Sequence, residues 1–577
     1  MTSSSRNTAK RHMAGVVVAG VAALVVAQCA SASAHPRTHP AAQSQAQAAE
    51  PTIIPKPVSV ITSNATFTLG ANARIVASGA ATPVANLLAS DLRPSTGYDL
   101  PVVTGSAQAG DITLRLAGHV RGLSADRFGE GYRLDVSAHR VSAVARKPHG
   151  LFDAAQTIRQ LLPAAIDSNT TQSGPWTMPG VHIVDYPRFG YRGYMLDIAR
   201  HYRTPGEVKK LLDRVSEYKI NTFHLHLSDD QGFRVAIKGF PRLTRIGGQG
   251  SVGTDGRTMD PGGYWTQAQY KSVVAYAATR FMTVIPEVDT PGHNNAIIMS
   301  EYNDTRNPRL VDPHSINCSI HNPPQWNYTG DVGYSAMCPE SRDTYAILTS
   351  IINQLSAIAS SRYYDIGGDE VPSTTLTQDR YARLVNTESG IVNGLGRTVM
   401  GWADIAGAGT QVPRGSVAEY WNPASGSASG SETATEAVAK HMKLVMAPAN
   451  HTYVDQKYAP GVPADIGLSW ACPKGCDVDQ FYNWEPTTYV DNIPAKSVIG
   501  VEAAQWGETT RTLAQVETLT FPRLLATAEL GWSPETTRKA DSPAYQDFLH
   551  RLGAQGPRLT ASHTKFYASP EVPWVTG

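Results

Sequence analysis

From about residue 188 onward, short apolar runs alternate with longer amphipathic stretches. The runs fall at 194–198, 222–227, 282–288, 363–367, 398–402, 417–421, 443–447 and 498–504. Each has the length of a buried strand. The stretches between them carry helix signals. Thr204-Pro205-Gly206-Glu207 is a capping box with proline at the first helical position, and Val208, Leu211, Leu212 and Val215 then share one face. Ser341 opens a second helix, whose apolar side is Ile347, Leu348, Ile351, Ile352, Leu355 and Ile358. Eight strands alternating with helices predict an α/β fold, a (β/α)8 TIM barrel spanning 186–577. The segment 51–185 has a different rhythm. Residues 112–116 and 132–136 alternate apolar and polar like half-buried strands, and 150–162 is an amphipathic helix. It is expected to be a smaller accessory α/β domain, without a cluster of chemically active side chains.

The first 34 residues do not belong to that pattern. Arg6, Lys10, Arg11 and His12 precede an apolar run at 13–27, and Ala32-Ser33-Ala34 resembles a cleavage site. This is the pattern of a signal peptide, so a secreted, extracellular protein is expected. The run is short for a bilayer span. A lipoprotein reading through Cys29 meets Gln28 where a small residue is needed. Residues 35–50, rich in Ala and Gln, read as a linker. Cleavage leaves Cys318, Cys338, Cys472 and Cys476. An even number in an exported chain predicts two disulfides, with sequence-local pairing Cys318–Cys338 and Cys472–Cys476. A four-thiolate zinc site is the competing reading, and its spacing fits zinc poorly. Net charge is +1 and charged residues make up 17% of the 577, which gives no electrostatic footprint for nucleic acid. No membrane partner is expected once the leader is removed.

The predicted strand ends carry the chemistry. Tyr363-Tyr364-Asp365-Ile366-Gly367-Gly368-Asp369-Glu370 is a short strand, two glycines and two adjacent acids. The ends of the other runs carry Arg200, Asp229, Glu287 and Asp289, Trp402, Trp421, Tyr453 and Asp455, and Trp506 and Glu508. In a (β/α)8 barrel, function sits at these ends. Aromatic faces pack against the C–H faces of pyranose rings. Carboxylates and Arg bind hydroxyls, and an acid pair fits glycosidic cleavage. His224-Leu225-His226 has the spacing of a metal-dependent hydrolase, which Asp229, Asp289 and His293 could complete. The plainer alternative is two histidines hydrogen-bonded inside the barrel. His293, in Asp289-Thr290-Pro291-Gly292-His293, reads either as a satisfied loop residue or as a relay to a catalytic acid.

These residues fall into segments that resemble the family-20 glycoside hydrolases, the β-N-acetylhexosaminidases. The matching segments are Leu196-Asp197-Ile198-Ala199-Arg200-His201, Leu225-His226-Leu227-Ser228-Asp229-Asp230-Gln231-Gly232, Pro286-Glu287-Val288-Asp289-Thr290-Pro291-Gly292-His293, Gly367-Gly368-Asp369-Glu370, Gly401-Trp402 and Val501-Glu502-Ala503-Ala504-Gln505-Trp506-Gly507-Glu508. They occur in family order and span most of the chain after the linker.

The resemblance implies exo-acting removal of terminal N-acetylglucosamine or N-acetylgalactosamine from chitooligosaccharides or glycans. The implied mechanism is retaining and substrate-assisted, without cofactor or metal. The sugar's own acetamido oxygen attacks the anomeric carbon and forms an oxazolinium. By position, Glu370 is the general acid/base, Asp369 orients the acetamide, and Tyr453 donates to its oxygen. Trp402, Trp421 and Trp506 wall the pocket. Arg200, Glu508 and Asp455 bind hydroxyls, Asp229 and His293 relay to Glu370, and Trp470 lines the next subsite. The chain departs from the family pattern at Asp365, where His is usual, at Phe233, where Trp is common, and at Glu419, where an amide is frequent. Two alternatives stand beside this reading: a metal-dependent hydrolase using His224, His226 and Asp229, and a sugar-binding protein without turnover.

Overall fold

The computed structural model describes residues 50–302, 316–321, 323–359, 361–423 and 428–576. The predicted leader, and the predicted linker up to residue 49, lie outside them.

All eight predicted barrel strands form. They are β1 (Tyr191–Asp197), β2 (Thr222–His226), β3 (Thr283–Glu287), β4 (Tyr363–Asp365), β5 (Thr398–Trp402), β6 (Val417–Tyr420), β7 (Lys443–Met446) and β8 (Val498–Gln505). Neighbours pair in parallel and in sequence order, and β8 closes on β1. Seven of the eight bury nearly every residue, because helices cover their outer faces and side chains fill the lumen.

The connecting helices show why they form. In helix Pro205–Ser216 the Thr204 side chain accepts from the Glu207 N–H and Glu207 reaches back to the Thr204 N–H, completing the predicted box. Val208, Leu211, Leu212 and Val215 are fully buried against the barrel, and each such side chain contributes about 1.5–3 kcal/mol. Helix Arg342–Ile358 starts at the predicted Ser341 cap, whose hydroxyl accepts from the Asp343 and Thr344 N–H groups.

The accessory domain is a seven-stranded mixed sheet. Its strand order is Ser59–Thr68, Thr177–Asp185, Tyr132–Ser137, Arg140–Ala145, Ile112–Leu116, Ile75–Val76, Val102–Val103. Helices Thr82–Thr96 and Pro148–Leu161 cover it. Trp532, from the barrel's helix Arg523–Trp532, inserts into this domain's core. The two disulfides pair as expected, Cys318–Cys338 and Cys472–Cys476. Among the described residues no helix is long and apolar enough to cross a membrane.

Candidate active site

The C-terminal ends of the strands surround a cavity of ≈ 330 Å³. β4 sets its centre. After Asp365 the chain passes through Gly367 and Gly368 at φ 71° and 105°. A Cβ on Gly367 would strike the Asp289 carboxylate, so this approach of two strand ends requires glycine. The turn brings Asp369 and Glu370 to one cavity, although neighbours in a regular strand would face opposite ways. Glu370 and His293 hold φ of 53° and 50°. Non-glycine residues adopt this region rarely, and it recurs where surrounding structure positions a working side chain.

Arg200, His293, Glu508, Trp421, Tyr453, Trp470 and Trp506 line the cavity with the acid pair. The aromatic walls touch one another. Ring centroids lie 6.0 Å apart for Tyr453 and Trp506, 6.0 Å for Tyr453 and Trp470, and 6.2 Å for Trp421 and Trp470. Trp470 is half exposed, at the mouth.

Three predicted residues stand behind the wall. Trp402 is buried beneath Trp506, centroids 5.4 Å apart, and its indole N–H donates to Glu287 at 3.0 Å. Asp455 is buried and accepts from the Gln456 amide at 2.9 Å. Asp229 lies behind Arg200 and His293. Its Oδ2 is 2.7 Å from Arg200 Nη1, and its Oδ1 is 3.4 Å from His293 Nδ1. On its other side, His293 Nε2 lies 3.4 Å from Glu370 Oε2 and 3.8 Å from Asp369 Oδ2. Asp229, His293 and Glu370 thus lie in the order of the expected relay, with no hydrogen bond joining His293 Nε2 to Glu370.

Charges in the site are set by burial against pairing. Burial pushes Asp229 up, but Arg200, His293 and His226 outweigh it and hold the carboxylate far below the usual range. Burial opposes charge on His293, yet Asp229 and Asp369 raise it well above an ordinary imidazole. Burial pushes up Asp369, with His293 pulling it back. Burial and the facing Asp369 drive Asp289 far higher. The Tyr453 phenol is pushed well above its ordinary value by burial and by Asp369, so it stays an O–H donor.

His224 and His226 do not open onto the cavity. Both are fully buried in the lumen. His226 is bridged between Glu287 at 2.7 Å and Asp229 at 2.8 Å, the hydrogen-bonded arrangement weighed against a catalytic metal pair.

Sequence reasoning missed the mouth residues Gly330, Asp331, Val332 and Leu468. They sit in long irregular loops without periodicity, where only the cysteines gave a signal. It also passed over Asp404, which accepts from the Trp421 indole N–H at 2.9 Å. Its position two residues past the end of β5 was the available clue.

A parallel barrel with an acid pair set between aromatic walls at its C-terminal rim defines a glycoside hydrolase. The profile for "Glycosyl hydrolase family 20, catalytic domain" matches residues 189–535, and that for the family's domain 2 matches residues 50–186. The chain belongs to glycosyl hydrolase family 20, the β-N-acetylhexosaminidases. It is 35% identical to a beta-N-acetylhexosaminidase of Cellulomonas fimi over 446 residues, 77% of this chain and 82% of the relative. Among solved structures it resembles the GH20 beta-N-acetylhexosaminidase from Streptomyces coelicolor A3(2), with TM-score 0.81 and 38% identity, covering 91% of this chain and 100% of that one. A mutant Streptomyces plicatus beta-hexosaminidase in complex with product (GlcNAc) is similar at TM-score 0.81 and 39% identity, over 91% of this chain and 98% of that one.

Proposed function

We propose that this β-N-acetylhexosaminidase is an exported, exo-acting enzyme. It removes single terminal 2-acetamido sugars with retention of configuration, using the sugar's acetamide as nucleophile. The observation that carries the reading is Asp369 and Glu370 sharing one cavity, with the Tyr453 hydroxyl and three Trp faces around them. Glu370 protonates the leaving oxygen, then takes a proton from the water that opens the oxazolinium. Asp369 accepts the acetamido N–H and balances the positive charge that develops on the ring. Tyr453 donates to the acetamido oxygen. The nucleophile arrives already attached, so its entropy of approach is met on binding. Arg200 and Glu508 bind hydroxyls of the terminal sugar, which favours exo-action.

The sugar class is supported by GlcNAc as the product held by the Streptomyces plicatus relative. Export is supported by the leader pattern at 1–34 and by two disulfides, which persist in oxidising compartments.

The test compares initial rates on p-nitrophenyl N-acetyl-β-glucosaminide and on the plain β-glucoside, with the anomer of the first product followed by NMR. Hydrolysis of the acetamido sugar alone, with β-product released first, is expected. Equal rates on both sugars, or an α-product, would sink the mechanism.

A further inference from the structure

The lumen beneath the active site holds side chains that the reaction leaves unused. Parallel barrels fill their lumen with layers of four side chains from alternate strands, and branched apolar residues dominate them. One layer here follows that rule. Tyr191, Ile285, Met400 and Val445, from β1, β3, β5 and β7, pack as one apolar cluster with Val417 of β6. The next layer comes from the even strands: His224 from β2, Asp365 from β4, Glu419 from β6 and Glu502 from β8. All four are 0% exposed.

This layer is arranged around the imidazole. His224 Nδ1 lies 3.0 Å from Glu502 Oε1 and 3.5 Å from Glu419 Oε1. His224 Nε2 lies 3.1 Å from Glu287 Oε2 and 3.9 Å from Asp365 Oδ2. Some oxygens are satisfied. Glu502 Oε2 accepts from the Tyr191 hydroxyl at 2.5 Å, and Asp365 Oδ1 accepts from the Gly367 N–H at 2.8 Å. Others are not. Neither oxygen of Glu419 receives a hydrogen bond, nor does Asp365 Oδ2. A fully buried carboxylate without donors is costly unless a cation or a proton meets it. Gly193 on β1 keeps the lumen clear on this side, since a Cβ there would run into the Glu502 carboxylate.

We propose that this layer is a structural binding site for a divalent first-row metal ion, held by His224 Nδ1, Glu419 and Glu502. The three donor atoms lie within 4.8 Å of one another. A four-coordinate ion with bonds of roughly 2.0–2.2 Å needs donors roughly 3.3–3.6 Å apart; the 3.5 Å separation from Glu419 falls in that span, and the 3.0 Å separation from Glu502 is shorter and must open for the ion to enter. The second Glu419 oxygen, which has no hydrogen-bond donor, completes the shell. One imidazole and carboxylates suit Zn²⁺ or Mn²⁺. Glu287 Oε2 stands 3.1 Å from Nε2, on the edge of the ring away from Glu419 and Glu502. Trp402, bonded to Glu287, separates the layer from the cavity, so the ion ties β2, β6 and β8 together and does not touch substrate.

The test is metal analysis of the full-length enzyme expressed with Zn²⁺ and Mn²⁺ in the medium and purified without a metal-affinity step. Elemental mass spectrometry is expected to give about one equivalent of Zn²⁺ or Mn²⁺ per chain. Glu419→Gln, which keeps the volume, is expected to lower it at least about tenfold. If that variant does not fold, anomalous diffraction from the unaltered enzyme decides, with its peak expected between His224, Glu419 and Glu502. Metal below about a tenth of an equivalent, an unchanged content in Glu419→Gln, or a peak elsewhere (at Glu130, His149 and Asp153, for example) overturns the proposal in favour of carboxyls that hold protons.

Discussion

Asp369 and Glu370 are neighbours in one cavity, and their proposed roles separate under substitution. Glu370→Gln removes the proton donor and keeps the shape. Turnover of substrates with poor leaving groups should fall about 10²–10⁴-fold, while an activated aryl leaving group suffers less in the first step. A uniform loss across leaving groups, measured as kcat/KM, would count against general-acid catalysis. Asp369→Asn removes the charge facing the acetamide and should cost about 10²–10³-fold with any leaving group; unchanged turnover would remove Asp369 from the mechanism. A third residue bears on stability instead. Glu388 is buried behind the β3 loop, where its Oε2 accepts from the Thr290 hydroxyl at 2.6 Å. Burial pushes its carboxyl up to about 8 from 4.5, with Thr290 pulling it back. The folded protein therefore holds a proton that the unfolded chain has lost between those values. The stability this group contributes is complete below about 4.5 and is lost as pH rises through about 8, at up to about 1.4 kcal/mol per pH unit. Glu388→Gln should flatten the decline in urea midpoint from pH 5 to pH 8, and parallel declines in both proteins would refute the assignment.

Among the helices, the capping box at Thr204 is both readable and testable. Thr204→Ala removes the acceptor for the Glu207 N–H and should cost about 1 kcal/mol, seen as a lower denaturation midpoint with activity intact. An unchanged midpoint would mean that packing of Val208 and Leu212 alone holds the first turn. The barrel was legible because strands buried on both faces are continuous apolar runs bounded by glycines and acids, and because Thr204 and Ser341 mark helix starts. The same burial hid what lies inside. In β2 every residue is buried, so no alternation tells which side chains enter the lumen, and His224 and Glu419 carried no sign of meeting. The strand ends disclosed Arg200, Asp369, Glu370, Tyr453 and Glu508, since polar groups closing apolar runs are conspicuous. Position along a strand could not tell that Trp402 lies a layer beneath Trp506. The loop bearing Asp331 and Val332 was opaque, since its place at the mouth follows from tertiary packing.

At the level of the whole molecule, the accessory domain and the barrel join through charges that look like surface residues in the sequence. Lys219, just past helix Pro205–Ser216, places its ammonium 2.9 Å from Asp185 at the end of the accessory strand Thr177–Asp185, and neither side chain is exposed. The same ammonium donates to the Tyr132 hydroxyl at 3.1 Å and lies 4.5 Å from the centroid of the Trp532 ring. Asp185 also accepts from Tyr132 at 2.7 Å and from the Trp532 indole at 2.8 Å. Nearby, Arg192 of β1 pairs with Glu130 while donating to the Lys219 and Phe189 carbonyls at 2.8 Å. Desolvation makes such pairs weak net stabilisers, yet removing one partner strands the other charge in the interior, at about 3–5 kcal/mol. Lys219→Met should therefore lower the unfolding free energy by that amount. Asp185→Asn added to it should restore a large part, because the amide leaves no charge to strand and can still bond Tyr132 and Trp532. The pair lies at the N-terminal end of β2, and the cavity opens at the C-terminal ends of the strands. Turnover per folded molecule should therefore stay within about twofold in both variants, since residues near the N-terminal face of such barrels serve stability. A double variant as unstable as the single one would assign the role of Lys219 to packing against Trp532 instead of charge. A collapse of kcat at unchanged stability would mean that the accessory domain acts on the catalytic rim.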